Sequence, residues 1–342
     1  MRDPRVVALG GGHGLSASLK ALRHVTENLT AIVTVADDGG SSGRLREELH
    51  CLPPGDLRMA LAALCDDTEW GNTWSKVLQK RFESDGPLDH HAIGNLLIAG
   101  LWEMFPDPVI GLDYVAKLLN AKGRVLPMST VPLTVGADVE SAGGIKQEII
   151  GQSKVAKCGQ HIDHLWLDPA NPPAAPEALA AIRQADWVVL GPGSWYTSVI
   201  VNLLVPELAE AVIATPAKRL VTLNLAPDTE TDDLSIDDYL TVLQDHAPGL
   251  WIDAILVDPT AITAYHPAQT AHNNAARSAD GSAVRSAGST TFNTADDAQA
   301  ALESAAARLG ADLYIRDVAT ANGSAHHDSV KLAIAYREIM SA

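Results

Sequence analysis

Short apolar runs alternate along the chain with segments whose apolar residues recur at helical spacing. Val6–Leu9 and Ala31–Val35 are continuous apolar runs, which is typical of strands buried on both faces of a parallel sheet. Between them, Leu15, Leu19 and Leu22 are spaced to share one face of a helix. This alternation predicts an α/β fold with a Rossmann-like, doubly wound and mostly parallel sheet.

The alternation continues through the rest of the chain, which we expect to form one α/β domain over residues 1–342. Further strands are predicted at Trp187–Leu190, Leu220–Leu223, Ile252–Val257 and Leu313–Val318. Further helices are predicted from Asp56 onward and at Trp74–Phe82, Ala92–Trp102, Leu112–Asn120, Pro176–Gln184, Tyr196–Leu204, Ile236–His246, Ala295–Leu309 and Asp328–Met340.

Two stretches depart from this alternation. Residues 123–172 are rich in turns and alternating apolar positions, with a strand at Lys146–Ile150 and a turn at Gly143-Gly144, and they predict a small inserted β-containing subdomain. Residues 267–290 are rich in Ala, Ser, Asn and Gly and predict a variable loop.

The net charge, the cysteine count and the apolar segments of the chain limit the kinds of function it can have. The formal net charge of −17 argues against binding to nucleic acid or to anionic membranes. The odd number of cysteines, three without a C-x-x-C pattern, indicates reduced thiols in a cytoplasm and no disulfide framework. Neither a signal peptide nor an unbroken apolar span is evident, so we expect a cytoplasmic protein without membrane insertion.

The candidate chemistry begins in the loop after the first strand. Residues 12–17 fit the pattern G-x-G-x-x-A, with a strand before and a helix after, and Asp37 follows at the distance of a ribose contact. Main-chain N–H groups of such a loop can hold a phosphate. The alternative is a tight turn without a ligand. The candidate residues of this loop are Gly11, Gly12, His13 and Gly14.

A second candidate loop opens with the acidic pair Asp37-Asp38. These carboxylates can hold ribose hydroxyls, bind a divalent cation such as Mg²⁺ or act as a base, although a turn or helix cap is the ordinary role of Asp. The residues that follow combine flexible backbone, two hydroxyls and a guanidinium, which favours a metal–phosphate ligand. They are Gly39, Gly40, Ser41, Ser42, Gly43 and Arg44.

Other candidate residues follow further strands or begin helices. Asp56 can cap a helix and Arg58 can reach a phosphate, although a surface Asp–Arg pair explains both. Asn95 can read the edge of a base or a sugar. The third strand-to-helix loop supplies Gly191, Gly193, Ser194, Tyr196 and Thr197, and Asn224 ends the next strand. Since the carboxyl ends of parallel strands share one edge, we expect these loops to converge on an anion pocket lined by main-chain amides.

Several familiar chemistries lack their residues here. The sequence holds no G-x-S-x-G elbow, Walker lysine, catalytic-cysteine context or H-E-x-x-H helix. The pairs His90-His91, His161/His164 and His326-His327 have no third ligand nearby and are interpreted as polar turns. The acidic run Asp228–Asp233 is interpreted as a solvated loop.

Taken together, the motifs resemble the gluconeogenesis factor family (YvcK-like, UPF0052), which is related to the CofD-like 2-phospho-L-lactate transferases. The resemblance runs from about Val6 to Val257, and thinly to the closing helix at His327-Asp328. The motifs that carry it are residues 10–14, 33–44, 54–58, 94–96, 191–194 and 196–198.

The resemblance implies a Rossmann-like fold and a role in central carbon metabolism, peptidoglycan precursor supply and cell shape. It implies a UDP-sugar ligand such as UDP-N-acetylglucosamine, with NAD(P) as a further candidate. It assigns Asp37 and Asp38 to metal or phosphate chemistry and places Gly12, Gly14 and Gly193 around the nucleotide. His13 departs from the family, which usually has a threonine-like residue there.

Three hypotheses follow. The first is a nucleotide-sugar-binding regulator, expected to form homo-oligomers and to act on a partner enzyme of amino-sugar synthesis. The second is a metal-dependent phosphoryl or nucleotidyl transferase of the 2-phospho-L-lactate transferase type that uses Asp37 or Asp38. The third is an NAD(P)-binding oxidoreductase, which rests on the first loop alone.

Overall fold

A seven-stranded sheet forms the centre of the molecule. The computed structural model describes residues 3–141, 145–264, 294–321 and 325–342. The strands of the sheet are β1 (Arg5–Gly10), β2 (Asn28–Val33), β3 (Arg124–Pro127), β7 (Trp187–Leu190), β8 (Lys218–Thr222), β9 (Ala254–Val257) and β10 (Asp312–Ile315). Their order is β10-β9-β8-β7-β1-β2-β3, and all neighbours are parallel, which confirms the predicted doubly wound architecture.

Helices cover both faces of this sheet. They are α1 (Gly12–Leu22), α2 (Gly40–Leu49), α3 (Gly55–Leu64), α4 (Glu69–Gln79), α5 (Ile93–Met104), α6 (Pro108–Leu119), α7 (Gln152–Val155), α8 (Pro176–Gln184), α9 (Pro206–Ala214), α10 (Asp238–His246), α11 (Pro259–Ala264), α12 (Ala295–Leu309) and α13 (Ser329–Ser341). The helix predicted at Tyr196–Leu204 is instead a π-helical turn, Trp195–Val199, followed by a 3₁₀ segment, Ile200–Leu204.

The stretch 123–172, predicted as one insertion, divides between two sheets. β3 pairs with β2 in the main sheet. The remainder forms a small antiparallel sheet of order β5-β4-β6, made of β4 (Thr134–Ser141), β5 (Ile145–Ile150) and β6 (His161–Asp168). The predicted turn at Gly143-Gly144 and the variable loop 267–290 lie outside the described residues.

The core explains why the apolar pattern was informative. Val6–Leu9 are buried, and Leu15, Leu19 and Leu22 of α1 are at most 1% exposed. Each such buried leucine contributes about 1.5–3 kcal/mol to folding.

Buried hydroxyls join the last helix to this core. The hydroxyl of Tyr336, on α13, lies 2.7 Å from Ser18 Oγ and 3.1 Å from Thr222 Oγ1. Ser18 in turn donates to the carbonyl of Gly191 at 3.0 Å. The final helix is thereby connected to α1, to β8 and to the loop after β7.

No single helix among the described residues is long and apolar enough to cross a membrane. The bent pair formed by Trp195–Leu204 and Pro206–Ala214 reaches the required length and apolarity only when its two parts are taken together.

Candidate functional site

The topology brings three strand-to-helix loops to one edge of the main sheet. β1 lies between β2 and β7, and the chain crosses to opposite sides of it, so the crevice at their carboxyl ends is where ligands bind in doubly wound folds. The first loop is residues 10–14, the second is 36–39 and the third is 191–194.

The first and third loops touch. A Cβ atom at Gly14 would overlap the carbonyl oxygen of Pro192 and lie 2.6 Å from the nitrogen of Gly193, so only glycine permits this approach. Asn224, at the end of β8, holds the third loop in place. Its Oδ1 accepts from the Gly193 nitrogen, and its Nδ2 donates to the Gly193 carbonyl, each at 2.8 Å.

A polar cavity of about 270 Å³ opens between the second loop and α3. Its walls carry both carboxylates and guanidinium groups together with the small residues that begin α2. The lining residues are Asp37, Gly39, Gly40, Ser41, Ser42, Gly55, Asp56, Arg58, Met59, Arg81 and Asn95. The cavity therefore gathers most of the candidate residues of the second loop with Asp56, Arg58 and Asn95.

Asp37 and Asp56 form the acidic wall of this cavity. Asp37 Oδ1 accepts from the Gly39 nitrogen at 2.9 Å, and Asp56 accepts from the backbone N–H of Gly12. Burial, reinforced by the negative charge of Asp37, raises the pKa of Asp56 to about 7. Asp56 is thus a carboxyl poised between its neutral and ionised forms.

Arg58 and Arg81 form the cationic wall. The side chain of Arg58 is buried, its Nε donates to Asn95 Oδ1 at 2.8 Å, and a second guanidinium nitrogen donates to Gln79 Oε1. Burial and, next, the charge of Arg81 lower the pKa of Arg58 to about 10. No carboxylate of the described residues lies within ion-pair distance of Arg58.

Ser41 belongs to a hydrogen-bond network at the start of α2. Its hydroxyl lies 2.9 Å from His91 Nδ1 and accepts from Asn95 Nδ2 at 3.0 Å. Through Asn95 this network fixes the position of Arg58. The predicted flexible loop at 39–44 is therefore wrong, since Gly40 onward is helical and the serines lie in its first turn.

Arg44 is exposed and donates to two carbonyls of a neighbouring surface segment. Its guanidinium nitrogens lie 3.0 Å from Pro87 O and 2.6 Å from Asp89 O. It does not line the cavity, unlike Arg58.

The side chains of Asp37 and Asp38 point to different parts of the molecule. Asp38 Oδ1 accepts from the Ser153 nitrogen at 2.9 Å, and a Cβ at Gly151 would overlap its Oδ2. The adjacent Gln152 donates from Nε2 to the Thr197 carbonyl at 3.2 Å. Asp38 thus connects the second loop to α7 of the small-sheet region, and Asp37 alone of the pair lines the cavity.

Beyond the third loop, main-chain donors are satisfied by an internal carboxylate. Glu230 Oε1 accepts from the nitrogens of Tyr196 at 2.9 Å and Thr197 at 3.4 Å, while Oε2 accepts from Thr197 Oγ1 at 2.9 Å. Burial raises the pKa of Glu230 to about 8, with a further contribution from Asp228. The interpretation of 228–233 as a solvated run is wrong for Glu230, which is 1% exposed.

The remaining candidate residues lie near the same edge of the sheet but do not line the cavity. His13 is exposed in the first turn of α1. The carbonyl of Ser194 accepts from the Ser198 nitrogen at 2.9 Å. Among the described residues, no three or more His, Cys, Asp or Glu side chains are grouped to hold a metal ion.

Sequence reasoning missed Arg81 and Glu230. Arg81 lies outside every glycine-rich motif, and an isolated antiparallel bridge to Ala92 brings it to the cavity. Glu230 sits in a hydrophilic run that gave no periodic signal. An acidic residue flanked by Thr229 and Thr231 after a strand was the one available hint.

Comparisons with known proteins agree on the group of proteins to which this chain is similar. The chain matches the family described as 2-phospho-L-lactate transferase CofD over residues 6–295. It is 51% identical over 259 residues to a putative gluconeogenesis factor of Mycobacterium leprae, covering 75% of this chain and 72% of that protein. A gluconeogenesis factor of Bacillus subtilis is 39% identical over 258 residues, covering 75% of this chain and 79% of that protein.

The same fold is known experimentally. A crystal structure of a UPF0052 family member from Bacillus halodurans has a TM-score of 0.79 to this chain at 33% identity, with 100% of both chains covered.

Proposed function

Since the chain belongs to the CofD family and is related to gluconeogenesis factors, we propose that it binds a nucleotide sugar of the UDP-N-acetylglucosamine class. The ligand's phosphates enter the cavity between the second loop and α3. Binding there switches the protein's effect on a cytoplasmic enzyme of amino-sugar synthesis, which links carbon supply to cell-wall precursors and cell shape.

The buried guanidinium of Arg58, which has no carboxylate within ion-pair distance among the described residues, is the observation that carries this proposal. A buried arginine costs free energy unless an anion or several acceptors satisfy it. Arg58 has two neutral acceptors and shares the cavity with Arg81, while Asp56 and Asp37 act on its charge without lying within ion-pair distance. A diphosphate would give Arg58 a directly bonded anion, and a guanidinium fork matches its oxygens.

The acidic wall suits a divalent cation that accompanies the diphosphate. Asp37 and Asp56 line one cavity, and burial together with the charge of Asp37 raises the pKa of Asp56 to about 7. Mg²⁺ prefers one or two carboxylates together with phosphate oxygens. In this proposal Asp37 and Asp56 hold the cation, and Asp38, which the sequence paired with Asp37, positions the second loop.

Isothermal titration of the full chain with UDP-N-acetylglucosamine tests the proposal. We expect saturable binding, and we expect Arg58→Ala to weaken it roughly 10- to 100-fold, because a hydrogen bond to a charged group contributes about 1.5–3 kcal/mol. Arg44→Ala is the matched control, since Arg44 bonds only to surface carbonyls in the described structure, and its affinity should stay within about twofold.

Thermal unfolding of both arginine variants establishes that they fold before they are titrated. Absence of binding by the wild type at millimolar ligand would falsify the proposal. Equal losses of affinity in the two variants would exclude the cavity as the phosphate site.

A second candidate function is transfer of a phosphoryl or nucleotidyl group. Asp56, with its pKa near 7, is suited to accept a proton from an attacking hydroxyl. Incubation with nucleotide, Mg²⁺ and candidate acceptors, followed by mass spectrometry, should then give a product that Asp56→Asn abolishes. Binding without any product supports the regulator instead.

A further inference from the structure

The outer strand of the small sheet is open to solvent along one side. Among the strands of the described residues, β5 pairs with β4 only and lies at the edge of the order β5-β4-β6. Five of its six residues are exposed, including Ile150 at 49%. Edge strands of this kind can recruit another strand, and natural proteins usually block them with prolines, bulges, cover or charged side chains, of which β5 has Lys146 and Glu148. β5 contains no proline, and within the described part of the chain no strand covers it.

The direction of its backbone groups follows from one hydrogen bond. The Gly151 nitrogen donates to the Val135 carbonyl at 2.8 Å, which makes this a hydrogen-bonded pair of the antiparallel ladder. Such pairs alternate with pairs whose backbone groups point away. With the register Gly136↔Ile150, the residues whose N–H and C=O face the open edge are Lys146, Glu148 and Ile150.

The charges along this edge are self-complementary. Lys146 and Glu148 are two positions apart, so their side chains share one face, and Gln147 lies between them. On that face, Lys146 Nζ lies 3.4 Å from Asp163 Oδ2. The order cation–neutral–anion, turned about a two-fold axis through Gln147, sets each cation opposite an anion.

We propose that β5 is a homodimer interface, in which it pairs antiparallel with β5 of a second copy about an axis at Gln147. In this register, the backbone groups of Lys146 and of Glu148 of the partner subunit hydrogen-bond directly, and their side chains form a cross-strand ion pair on each side of the axis. The two small sheets become one continuous six-stranded sheet.

The order of charges along β5 favours a second copy of β5 as its partner and also selects the register of the pair. Moving the axis to Glu148 keeps the backbone pairing but sets Glu148 against Glu148 of the partner subunit, and like charges directly opposite are destabilising. A second copy of this chain satisfies the Lys–Gln–Glu order without any other partner. The interface is independent of the ligand cavity, so it stands or falls separately from the proposed function.

Charge reversal with mixing tests the interface. Sedimentation velocity of the full chain should give a mass twice that of the single chain for the wild type. Lys146→Glu alone sets Glu against Glu across the axis, and Glu148→Lys alone sets Lys against Lys, so each variant should raise the dimer dissociation constant at least tenfold. An equimolar mixture of the two restores opposite charges at both positions and should recover the dimer.

Glu103→Lys, which makes the same change in net charge as Glu148→Lys at an exposed position of α5, is the control for that variant and should leave the dimer intact. Circular dichroism confirms that each variant is folded. A monomeric wild type at 100 µM (roughly 10⁵ times a nanomolar Kd), a dimer that neither reversal weakens, or a mixture that stays monomeric overturns the proposal.

Discussion

The cavity beside the second loop and the turn after the third loop look alike in sequence, but they differ in whether the chain itself supplies partners for their polar groups. Both follow a buried parallel strand, and both combine glycine, hydroxyl groups and helical N–H donors. In the cavity, buried Arg58 has no carboxylate partner among the described residues. After the third loop, Glu230 already occupies the donors of Tyr196 and Thr197. A phosphate-type loop thus offers a ligand site only where the chain does not itself supply the acceptor.

Removal of the Glu230 carboxylate is expected to have the largest effect on stability. Glu230→Ala leaves buried N–H and hydroxyl donors of the 195–199 turn without an acceptor, which costs about 2–3 kcal/mol. Glu230→Gln keeps one carbonyl oxygen and should lose less. Urea unfolding at pH 7 measures both. If the two variants are equally stable, the carboxylate oxygens do not have this role.

A somewhat smaller effect is expected from pH on the stability difference between the wild type and Glu230→Gln. The pKa of Glu230 is raised in the folded state, so the native protein holds a proton that the unfolded chain releases, and stability falls as pH rises from about 4.5 to about 8. Relative to Glu230→Gln, the wild type should lose at most about 1.4 kcal/mol per pH unit within this window. Unfolding of both proteins at pH 6 and 7 gives the difference. Parallel curves would contradict the buried, protonated carboxyl.

The smallest effect is expected at Asp38. Asp38→Ala removes the acceptor for the Ser153 nitrogen and should cost about 1 kcal/mol, whereas Asp38→Asn retains Oδ1 and should cost less. Asp37→Ala, which changes a cavity-lining side chain, should instead weaken Mg²⁺-dependent ligand binding with little loss of stability. Thermal unfolding and titration of the three variants distinguish these roles. The reverse pattern would mean that Asp38 holds the cation.

Much of the sheet could be predicted because its strands are short apolar runs with no competing pattern. The strand Trp187–Leu190 begins and ends at the predicted residues, and so does the helix Ala295–Leu309. α2 could not be predicted in this way, since its first turns contain Gly40 and Gly43, which disfavour a helix. Gly43 is required in this helix, because a Cβ there would overlap the Asp38 carbonyl. β3 was placed in the insertion because membership of a sheet is decided by distant pairing.

The candidate site was predictable in its location but not in its internal partners. Its loops end neighbouring strands, and strand adjacency follows from the βαβ pattern. Which donors are already satisfied depends on contacts far along the chain: Glu230 lies 34 residues from Tyr196, and Ser153 lies 115 residues from Asp38. Local sequence carries no signal for such contacts.

The buried hydroxyl of Tyr336 has a consequence for shortened forms of the chain. The CofD match ends at residue 295, yet Tyr336 contacts Ser18 and Thr222, and Ser18 holds the carbonyl of Gly191. A truncation drawn at the end of the family match would strip away α13, uncover one side of α1 and leave the third loop's support incomplete. Expression trials and C-terminal fusions therefore need to preserve the last thirteen-residue helix.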